Sequence, residues 1–448
     1  MLAGFVVVMA AAYATVGLFK HWHFDSSRDL GIFEQALWHL SRFEEPGSTI
    51  RGVQNLLADH FHPIVSLLVV PYWIVPAAET LLVMQAVLIA ASIVPVYAFM
   101  RRRFERPLAF GMVVAYAFFW GLQKTINFDF HEAAFAPLLI AGAVLALDTR
   151  RWAWLWITCI LLVCTKEDLI PLVAALGAYV YLQGDLRHGL GLMAFGVVAF
   201  FVVMKMVIPA FGDGWSYGGA YQAVWDRPWA ALAVMVTPSQ KLVTIVYWLA
   251  PFCFLSLRSP LAWLMVPIAA ERLLSSVSSH YGWIGHYTAP LAPLLAMSAG
   301  DGLSRLMRGR ARNAAWRRFP AIAVGLCVIL AILIPGHQPI LRLFNAGHYR
   351  ISVGRGPSAR ALAAIPPDAS VVAQVALLAH LSQRATIYGL EPEAPDADYL
   401  IASMVLSPWP MPGPAELAGE IERRRARGYV TVFEEAGWLV LKGPNAPR

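Results

Sequence analysis

Long apolar runs alternate with short polar stretches along the first three quarters of the chain. Windows of about 20 residues with almost no charge recur, which is the length that a helix needs to cross a bilayer. Helices are expected because lipid cannot satisfy open backbone hydrogen bonds, and the runs lack the apolar–polar alternation of membrane β-barrel strands. The pattern predicts about eleven transmembrane helices. They lie near residues 2–19, 79–100, 107–123, 132–148, 151–165, 169–183, 189–208, 239–256, 260–274, 287–304 and 319–335.

The stretch between the first two spans, residues 20–78, is predicted to be a large loop with structure of its own. Within it, residues 29–43 place most of their apolar side chains on one helical stripe and their polar ones elsewhere. This is the pattern of an amphipathic helix in the headgroup layer, with Trp38 as its anchor at the interface. The apolar segment 61–75 is short, so we predict that it is interfacial or re-entrant rather than a span.

Arginines cluster in every second loop between the predicted spans, whereas the loops between them hold only scattered cations. By the positive-inside rule, the arginine-rich loops are cytoplasmic. The N-terminus is then cytoplasmic, the 20–78 loop lies outside, and an odd number of spans places the C-terminal region outside as well. The arginines of the inner loops are Arg101, Arg102, Arg103, Arg106, Arg150, Arg151, Arg187, Arg258, Arg305, Arg308, Arg310, Arg312, Arg317 and Arg318.

The character of the chain changes after residue 335. Short strand-like stretches such as YVTVFEE and WLVLKG alternate with helix-like ones such as AELAGEIERRRARG. This spacing is typical of a small α/β domain. The predicted fold class is therefore an all-α polytopic membrane protein, residues 1–335, that carries a small extracytoplasmic α/β domain, residues 336–448.

Composition excludes a soluble globular protein and argues against nucleic-acid binding. Hydrophobic residues make up 58% of the chain and charged residues only 14%, whereas roughly a quarter of the residues of a soluble domain are charged. The formal net charge of +7 comes from short loop clusters, which is a topology signal rather than a continuous basic surface. The four cysteines lie in apolar runs without metal-ligand spacing and are interpreted as core residues.

Ionisable side chains at membrane depth or at span ends are costly, so each is a candidate functional residue. In this chain they gather in the predicted outer loops, and a site is therefore expected to face outward. The candidates are Arg28, Asp29, Glu34, Asp59, His60, His62, Lys124, His131, Glu132, Lys166, Glu167, Asp168, Arg272, His286 and Tyr287.

Simpler structural explanations stand beside these assignments. Asp29 opens the amphipathic helix, where the helix dipole favours an acidic residue in any protein. The Lys166–Asp168 turn is equally consistent with a solvated, ion-paired turn. Three residues are candidate ligands for a divalent cation, although hydrogen-bonded interfacial histidines fit the same pattern. These three are Asp59, His60 and His62.

Tryptophans near the predicted span ends also have two explanations. A membrane belt accounts for them without any further function, because indole rings favour the headgroup level. A sugar-stacking surface is the alternative. The tryptophans are Trp73, Trp120, Trp215 and Trp283.

The stretch Asp29-Leu30-Gly31-Ile32-Phe33-Glu34-Gln35-Ala36-Leu37-Trp38 resembles the N-terminal signature of a family of predicted prokaryotic membrane proteins. That family is similar to the GT-C membrane glycosyltransferases. The match covers most of the chain and departs at Glu34, where the family often has Asp. It continues through Asp59-His60-Phe61 with Pro63, His131-Glu132 with Pro137, Lys166-Glu167-Asp168-Leu169, Gly285-His286-Tyr287 with Pro290, and Pro366-Pro367.

The resemblance implies an inverting enzyme that moves a sugar from a polyprenyl-phosphate carrier to a lipid, glycan or protein acceptor of the cell envelope. The transfer would take place on the outer face of the prokaryotic inner membrane. The catalytic carboxylate falls on Asp29, which would take the proton of the acceptor hydroxyl. Cations at the outer span ends are candidates to hold the leaving phosphate. These are Arg28, Lys124, Lys166 and Arg272. The sequence indicates no definite cofactor and leaves the participation of a divalent cation open.

Two other classes of function are weighed against a glycosyltransferase. A lipid or solute transporter or flippase would use the same charges as a translocation path. The chain shows no inverted repeat, however, and its charges cluster at one face rather than in mid-span. A non-catalytic envelope scaffold would present the C-terminal domain and leave the outer-loop carboxylates idle.

Overall fold

The computed structural model describes residues 1–308, 316–336 and 338–447, and most of them are helical. The longer α-helices span Leu2–Trp22, Arg28–Ser41, Ala78–Ala91, Ile93–Arg101, Arg106–Ala117, Trp120–Asn127, Ala136–Asp148, Trp152–Val163, Ile170–Leu182, Leu186–Val202, Gln240–Leu249, Val266–Leu274, Leu291–Met307, Phe319–Leu333, Gly356–Ala363 and Pro414–Ala426. The shorter ones span Val69–Ile74, Ile208–Phe211, Gln222–Asp226, Ala231–Val236, Ser278–Tyr281 and Leu378–Leu381.

The apolar runs do not all form continuous membrane-length helices. Among the described residues, three helices are long and apolar enough to cross a membrane: Leu2–Trp22, Ala78–Arg101 and Leu186–Phe211. The pair Pro228–Val236 and Gln240–Phe252, bent by 69°, adds a fourth span if it is counted as one. The predicted number of about eleven spans thus stays a prediction.

Prolines explain much of this shortening. Three of the predicted spans begin with a 3-10 turn that passes into the α-helix at or just before a proline, because proline removes a backbone donor and fits best in the first helical turn. The α-helical parts then start at Ala136, Ile170 and Val266. The segment predicted as interfacial or re-entrant follows the same pattern, with a 3-10 helix Pro63–Leu68 before Val69–Ile74.

The helix Arg28–Ser41 differs from the predicted headgroup helix. Its residues from Leu30 to Leu37 are all buried, including the polar Glu34 and Gln35. Gly31 lies so close to Leu378 that an added Cβ would meet its side chain at 3.1 Å. The C-terminal region covers the polar side of this helix, because Glu34 and Gln35 bind Ser382 and Arg384, whereas a helix that lies free in the headgroup layer would expose that side. Trp38 is only partly buried and stacks under the Arg42 guanidinium at 4.8 Å.

The predicted small C-terminal α/β unit is confirmed as a five-stranded sheet with the order β2-β1-β3-β5-β4. β1 pairs in parallel with β2 and β3, and β5 pairs antiparallel with β3 and β4. The strands are β1 Val371–Ala373, β2 Ile387–Gly389, β3 Tyr399–Ser403, β4 Val430–Glu435 and β5 Trp438–Lys442.

The two faces of this sheet bury different partners. On one face Val372, Leu400 and Leu441 pack with Leu417 of the Pro414–Ala426 helix. On the other face, alternate strand residues such as Ile401 join the large core that continues into the long apolar helices. The sheet is therefore packed on the helical part of the chain rather than tethered beside it.

Of the predicted inner arginines, Arg310 and Arg312 lie outside the described residues.

Candidate functional site

A cavity of about 970 Å³ lies between the first loop, the Leu186–Phe211 helix and the connector that follows this helix. Its ionisable lining combines residues from distant parts of the sequence. These are Arg28, Asp29, Arg51, Asp59, His60, His62, His131, Lys166, Glu167, Asp168, Lys205, Glu271, His280, His286 and Tyr287, with Tyr217 and Tyr221. The Leu186–Phe211 helix adds an apolar wall of Phe200, Phe201, Met204 and Pro209.

Asp29 reaches this cavity from the second position of the Arg28–Ser41 helix. Buried Asp129 holds the start of the helix: its Oδ2 accepts from the Ser27 backbone N–H at 2.6 Å and from Ser27 Oγ at 2.5 Å. Lys20 Nζ pairs with the other oxygen of Asp129 at 2.9 Å. Among the residues that the structure describes, the Asp29 carboxylate itself has no hydrogen-bond partner and no ion pair within 4.0 Å. It is an acceptor that the protein leaves unused.

The surroundings of Asp29 raise its basicity. Burial raises the pKa of this carboxyl to about 6, and the negative charges of Asp129 and Glu132 act in the same direction. Lys166 and Arg28 oppose the shift. At neutral pH the group is thus mostly ionised, yet a stronger base than an ordinary aspartate. These are the properties that a general base needs.

The Lys-Glu-Asp turn connects motifs that are far apart in the sequence. Lys166 Nζ lies 2.9 Å from a carboxylate oxygen of fully buried Glu132. Glu167 approaches His60 Nδ1 at 2.5 Å and accepts the Phe61 backbone N–H at 2.9 Å. Burial alone would lower the pKa of Lys166, but the neighbouring carboxylates raise it well above the usual value, so the ammonium stays charged.

Asp168 is the least satisfied member of this turn. Its Oδ1 is buried and has no hydrogen-bond partner among the described residues. Burial raises the pKa of Asp168 well above the usual range against the effect of Lys166, and the nearby Glu271 carboxylate raises it further. Glu271 accepts a hydrogen bond from the Tyr221 hydroxyl at 2.7 Å. This end of the cavity therefore offers carboxyl oxygens that a ligand can satisfy.

Two histidines stack beside the turn. The rings of His131 and His286 are nearly parallel, with centroids 3.4 Å apart. His286 is buried, and neither ring nitrogen has a partner among the described residues. Burial lowers the pKa of His286 well below its usual value, so the ring is neutral at physiological pH.

The candidate metal ligands are engaged elsewhere. Asp59 forms a two-point ion pair with Arg51, with both distances 2.8 Å, and accepts from the Tyr217 hydroxyl at 2.7 Å. His60 meets Glu167, as described above, and His62 is buried with its ring 5.5 Å from that of Phe33. In the described parts of the chain, no three or more His, Cys, Asp or Glu side chains group in a way that could hold a metal ion.

Glu34 faces away from the cavity, although it lies only five residues after Asp29. Its carboxylate accepts from Tyr72 Oη at 3.0 Å and from Gln383 Nε2 at 2.8 Å. The Ser382 hydroxyl is a third donor. The structure thus places this candidate at the contact between the first loop and the C-terminal region.

Three more candidates do not line the cavity. Arg272 is buried and donates to the His280 carbonyl and to Thr288 Oγ1, both at 2.6 Å. Lys124 is half-buried on the Trp120–Asn127 helix. Glu132 lies behind the lining, paired with Lys166 as described above.

Some lining residues escaped the sequence analysis. Lys205 lies in a π-helical turn, Val203–Val207, inside the Leu186–Phe211 helix. A charge within an apolar run was a signal for this residue and for Glu271. Arg51 and the connector tyrosines gave no such signal, because they stand in polar stretches of ordinary composition.

Comparisons with known proteins bear on both the family and the fold. A family model described as "Predicted membrane protein (DUF2079)" matches residues 20–426. No curated protein matches the sequence. Among solved structures, the crystal structure of ArnT from Cupriavidus metallidurans bound to undecaprenyl phosphate matches 99% of each chain, with a TM-score of 0.59 and 14% sequence identity. At this identity the match shows a shared fold.

Proposed function

The chain belongs to the DUF2079 family of predicted membrane proteins, and we propose that it is a membrane glycosyltransferase with Asp29 as its catalytic base. In this proposal the donor is a polyprenyl-phosphate sugar and the acceptor is a component of the cell envelope. The likeness to ArnT, a GT-C glycosyltransferase whose matching structure holds undecaprenyl phosphate, supports this class of donor.

One observation carries the proposal: the Asp29 carboxylate, which has a raised pKa and no partner in the described parts of the chain, faces a cavity with both charged and apolar walls. A sugar phosphate needs the charged lining, and a polyprenyl chain needs an apolar surface such as that of Phe200, Phe201 and Met204. A volume of about 970 Å³ is at the upper end of the range for small-molecule sites. A scaffold has no need of a free base at this position, and a proton-coupled transporter, which could use one, would move its lipid without sugar transfer.

The proposed reaction is a single displacement with inversion. An acceptor hydroxyl attacks the anomeric carbon of the donor as Asp29 takes its proton, and the bond from that carbon to the phosphate oxygen breaks. The electron pair of the broken bond leaves with the polyprenyl phosphate. Because a phosphate is already a good leaving group, it needs positive charge rather than an acid.

The structure narrows the choice of cations for that phosphate. Of the four predicted candidates, Arg28 and Lys166 line the cavity, while Lys124 and Arg272 do not. Lys205 joins the set because it extends from the apolar wall, where the phosphate of a membrane-embedded lipid would lie. We propose Arg28, Lys166 and Lys205 as the phosphate-binding group.

Transfer from a panel of radiolabelled polyprenyl-phosphate sugars into envelope material tests the proposal, with full-length protein in lipid nanodiscs. Wild type is expected to turn over at least one donor, and Asp29→Asn to do so about 10²- to 10⁴-fold more slowly. Asp25→Asn is the matched control, because Asp25 is exposed on the same loop and does not line the cavity. Equal rates for Asp29→Asn and wild type would contradict the proposal. Movement of an intact lipid across vesicles without sugar transfer would support a transporter instead.

A further inference from the structure

The connector after the Leu186–Phe211 helix gives the cavity an aromatic wall, which we define as Trp215, Tyr217, Tyr221 and Trp225. The four rings fall within eleven residues that fold as a 3-10 helix, Ser216–Tyr221, and a short α-helix, Gln222–Asp226. None of these side chains belongs to the proposed base or to the phosphate-binding group. The wall is therefore available for another part of the substrates.

Two anchors hold the aromatic wall in place. Tyr217 donates to Asp59 through its hydroxyl at 2.7 Å, and its ring stacks on the His60 ring with centroids 4.6 Å apart and planes within 12°. Tyr221 donates to Glu271 at 2.7 Å. Because both tyrosines are tied to the charged lining, the faces of these two rings are fixed before any ligand binds.

The aromatic wall also contains an unsatisfied donor. Trp215 Nε1 is buried and has no hydrogen-bond partner among the described residues. The Trp215 ring lies nearly parallel to that of Tyr221, with 16° between the planes and 6.2 Å between the centroids. A buried indole N–H without a partner is costly, so its presence beside a cavity indicates a ligand that supplies an acceptor.

We infer that the aromatic wall binds a saccharide and that the acceptor of the proposed transfer is therefore a glycan. A pyranose ring has an apolar face of C–H groups, which packs on an aromatic ring, and an edge of hydroxyls. Those hydroxyls can accept from Trp215 Nε1 and donate to the carboxyl oxygens of Asp168 and Glu271. The assignment of the saccharide as the acceptor rests on the proposed function, whereas the binding of a saccharide to the aromatic wall does not.

Charge separates this ligand from the donor. At Tyr221 the wall is attached to the Glu271 carboxylate, which disfavours a phosphate next to it, whereas Asp59 at Tyr217 is paired with Arg51. A polyprenyl chain has no acceptor for the indole N–H. A neutral sugar fits both conditions, unlike the sugar of the donor, which is joined directly to its phosphate.

Saturation-transfer NMR with methyl glycosides of glucose, galactose, mannose and N-acetylglucosamine tests the inference on full-length protein in nanodiscs. Wild type is expected to transfer saturation to at least one glycoside. Trp215→Phe keeps the ring and removes the N–H, so binding should weaken by about 2- to 12-fold. Trp215→Ala should weaken it by about tenfold or more. Trp229→Phe is the matched control, because this connector residue is 82% exposed and does not line the cavity.

The outcomes separate this inference from the proposed function. No saturation transfer to any of the four glycosides, or equal binding by wild type and both Trp215 variants, overturns the aromatic wall as a saccharide site. Sugar transfer to a non-saccharide acceptor, with a KM for that acceptor that Trp215→Ala leaves unchanged, also overturns the saccharide site. This result leaves the proposed glycosyltransferase activity intact. Glycoside binding that depends on Trp215, in a protein without transferase activity, supports the wall and rejects the proposed function.

Discussion

Asp29 and Glu34 are two acidic residues of one helix, and they face two different regions of the molecule. Burial raises the pKa of both, to about 6 for Asp29 and to about 7 for Glu34. Glu34 nevertheless accepts from three donors, Tyr72, Ser382 and Gln383, whereas Asp29 accepts from none of the residues that the structure describes. A raised pKa alone therefore does not identify a base. The access of the carboxylate to a substrate is needed as well, because a base must lie within hydrogen-bond reach of the proton that it takes.

The largest effect that this comparison predicts is on catalysis. Asp29→Asn should lower sugar transfer by about 10²- to 10⁴-fold, which is the usual contribution of a general base. Glu34→Gln keeps the shape of the side chain and should leave the rate within about threefold of wild type, since Glu34 does not reach the cavity. Initial rates at saturating donor check both. If the rate of Glu34→Gln falls as far as that of Asp29→Asn, the proposed difference in function between the two carboxylates is wrong.

The second prediction concerns pH. Because Asp29 must be ionised to accept a proton, transfer should fall by about tenfold per pH unit below its pKa and level off above it. The expected midpoint is about 6, set by burial and by Asp129 and Glu132 against Lys166 and Arg28. Rates between pH 5 and 8 with saturating donor test this. A profile that stays flat across pH 5 to 7 would exclude Asp29 as the base.

The third prediction moves to the other region. Glu34→Ala leaves the three donors around it unsatisfied, which should cost about 2–5 kcal/mol of stability. We expect a lower thermal unfolding midpoint and faster proteolysis of the C-terminal region. Glu44→Ala is the control, because Glu44 is exposed just after the same helix and should change neither. Equal midpoints for Glu34→Ala and wild type would show that Glu34 does not hold this contact together.

The pH dependence of stability sharpens the same point. The folded pKa of Glu34 is raised above its ordinary value of 4.5, so folding favours its protonated form. The stability from this group is fully present below about pH 4.5 and is lost as pH rises through about 7. Glu34→Gln should flatten the fall of the unfolding midpoint across this range. An unchanged pH dependence in that variant would assign the fall to other groups.

The smallest effect is expected at the boundary between the two regions. Glu391, which follows β2, pairs with Arg28 at the cavity edge, and both side chains are partly exposed. Exposed pairs of this kind contribute about 0–1 kcal/mol. Glu391→Gln should therefore change the KM for the donor by less than about fivefold. A larger change in KM would mean that the contact with the C-terminal domain determines how Arg28 binds the donor.

The fold class could be predicted from the sequence because apolar runs and strand-like spacing are local properties of the chain. Helical membrane segments and a C-terminal sheet both followed from them. Span continuity did not, since prolines such as Pro137 and Pro171 turn the first residues of a run into 3-10 helix. The motifs around Asp29, His60 and Lys166 do meet at one cavity, while their roles stay predictions.

Glu34 shows why the rest could not be read from the chain. By sequence it is another acid of the amphipathic helix, as suitable for a site as Asp29. What distinguishes it is a partner 348 residues away, Ser382. Arg272 is similar, because its Nε and Nη1 donate to His280 and Thr288, which the fold brings near.

The contact between the Arg28–Ser41 helix and the C-terminal region also sets an order of events in biosynthesis. The helix leaves the ribosome among the first residues, and its partners Ser382 and Gln383 emerge about 350 residues later. At roughly 5–20 residues per second, this gap lasts about 20–70 s. During that time Glu34 of the nascent helix lacks the two C-terminal residues that bind it in the folded protein. The contact that covers this helix is thus completed only near the end of translation, whereas the residues that line the cavity, between Arg28 and Tyr287, have all been synthesised well before it.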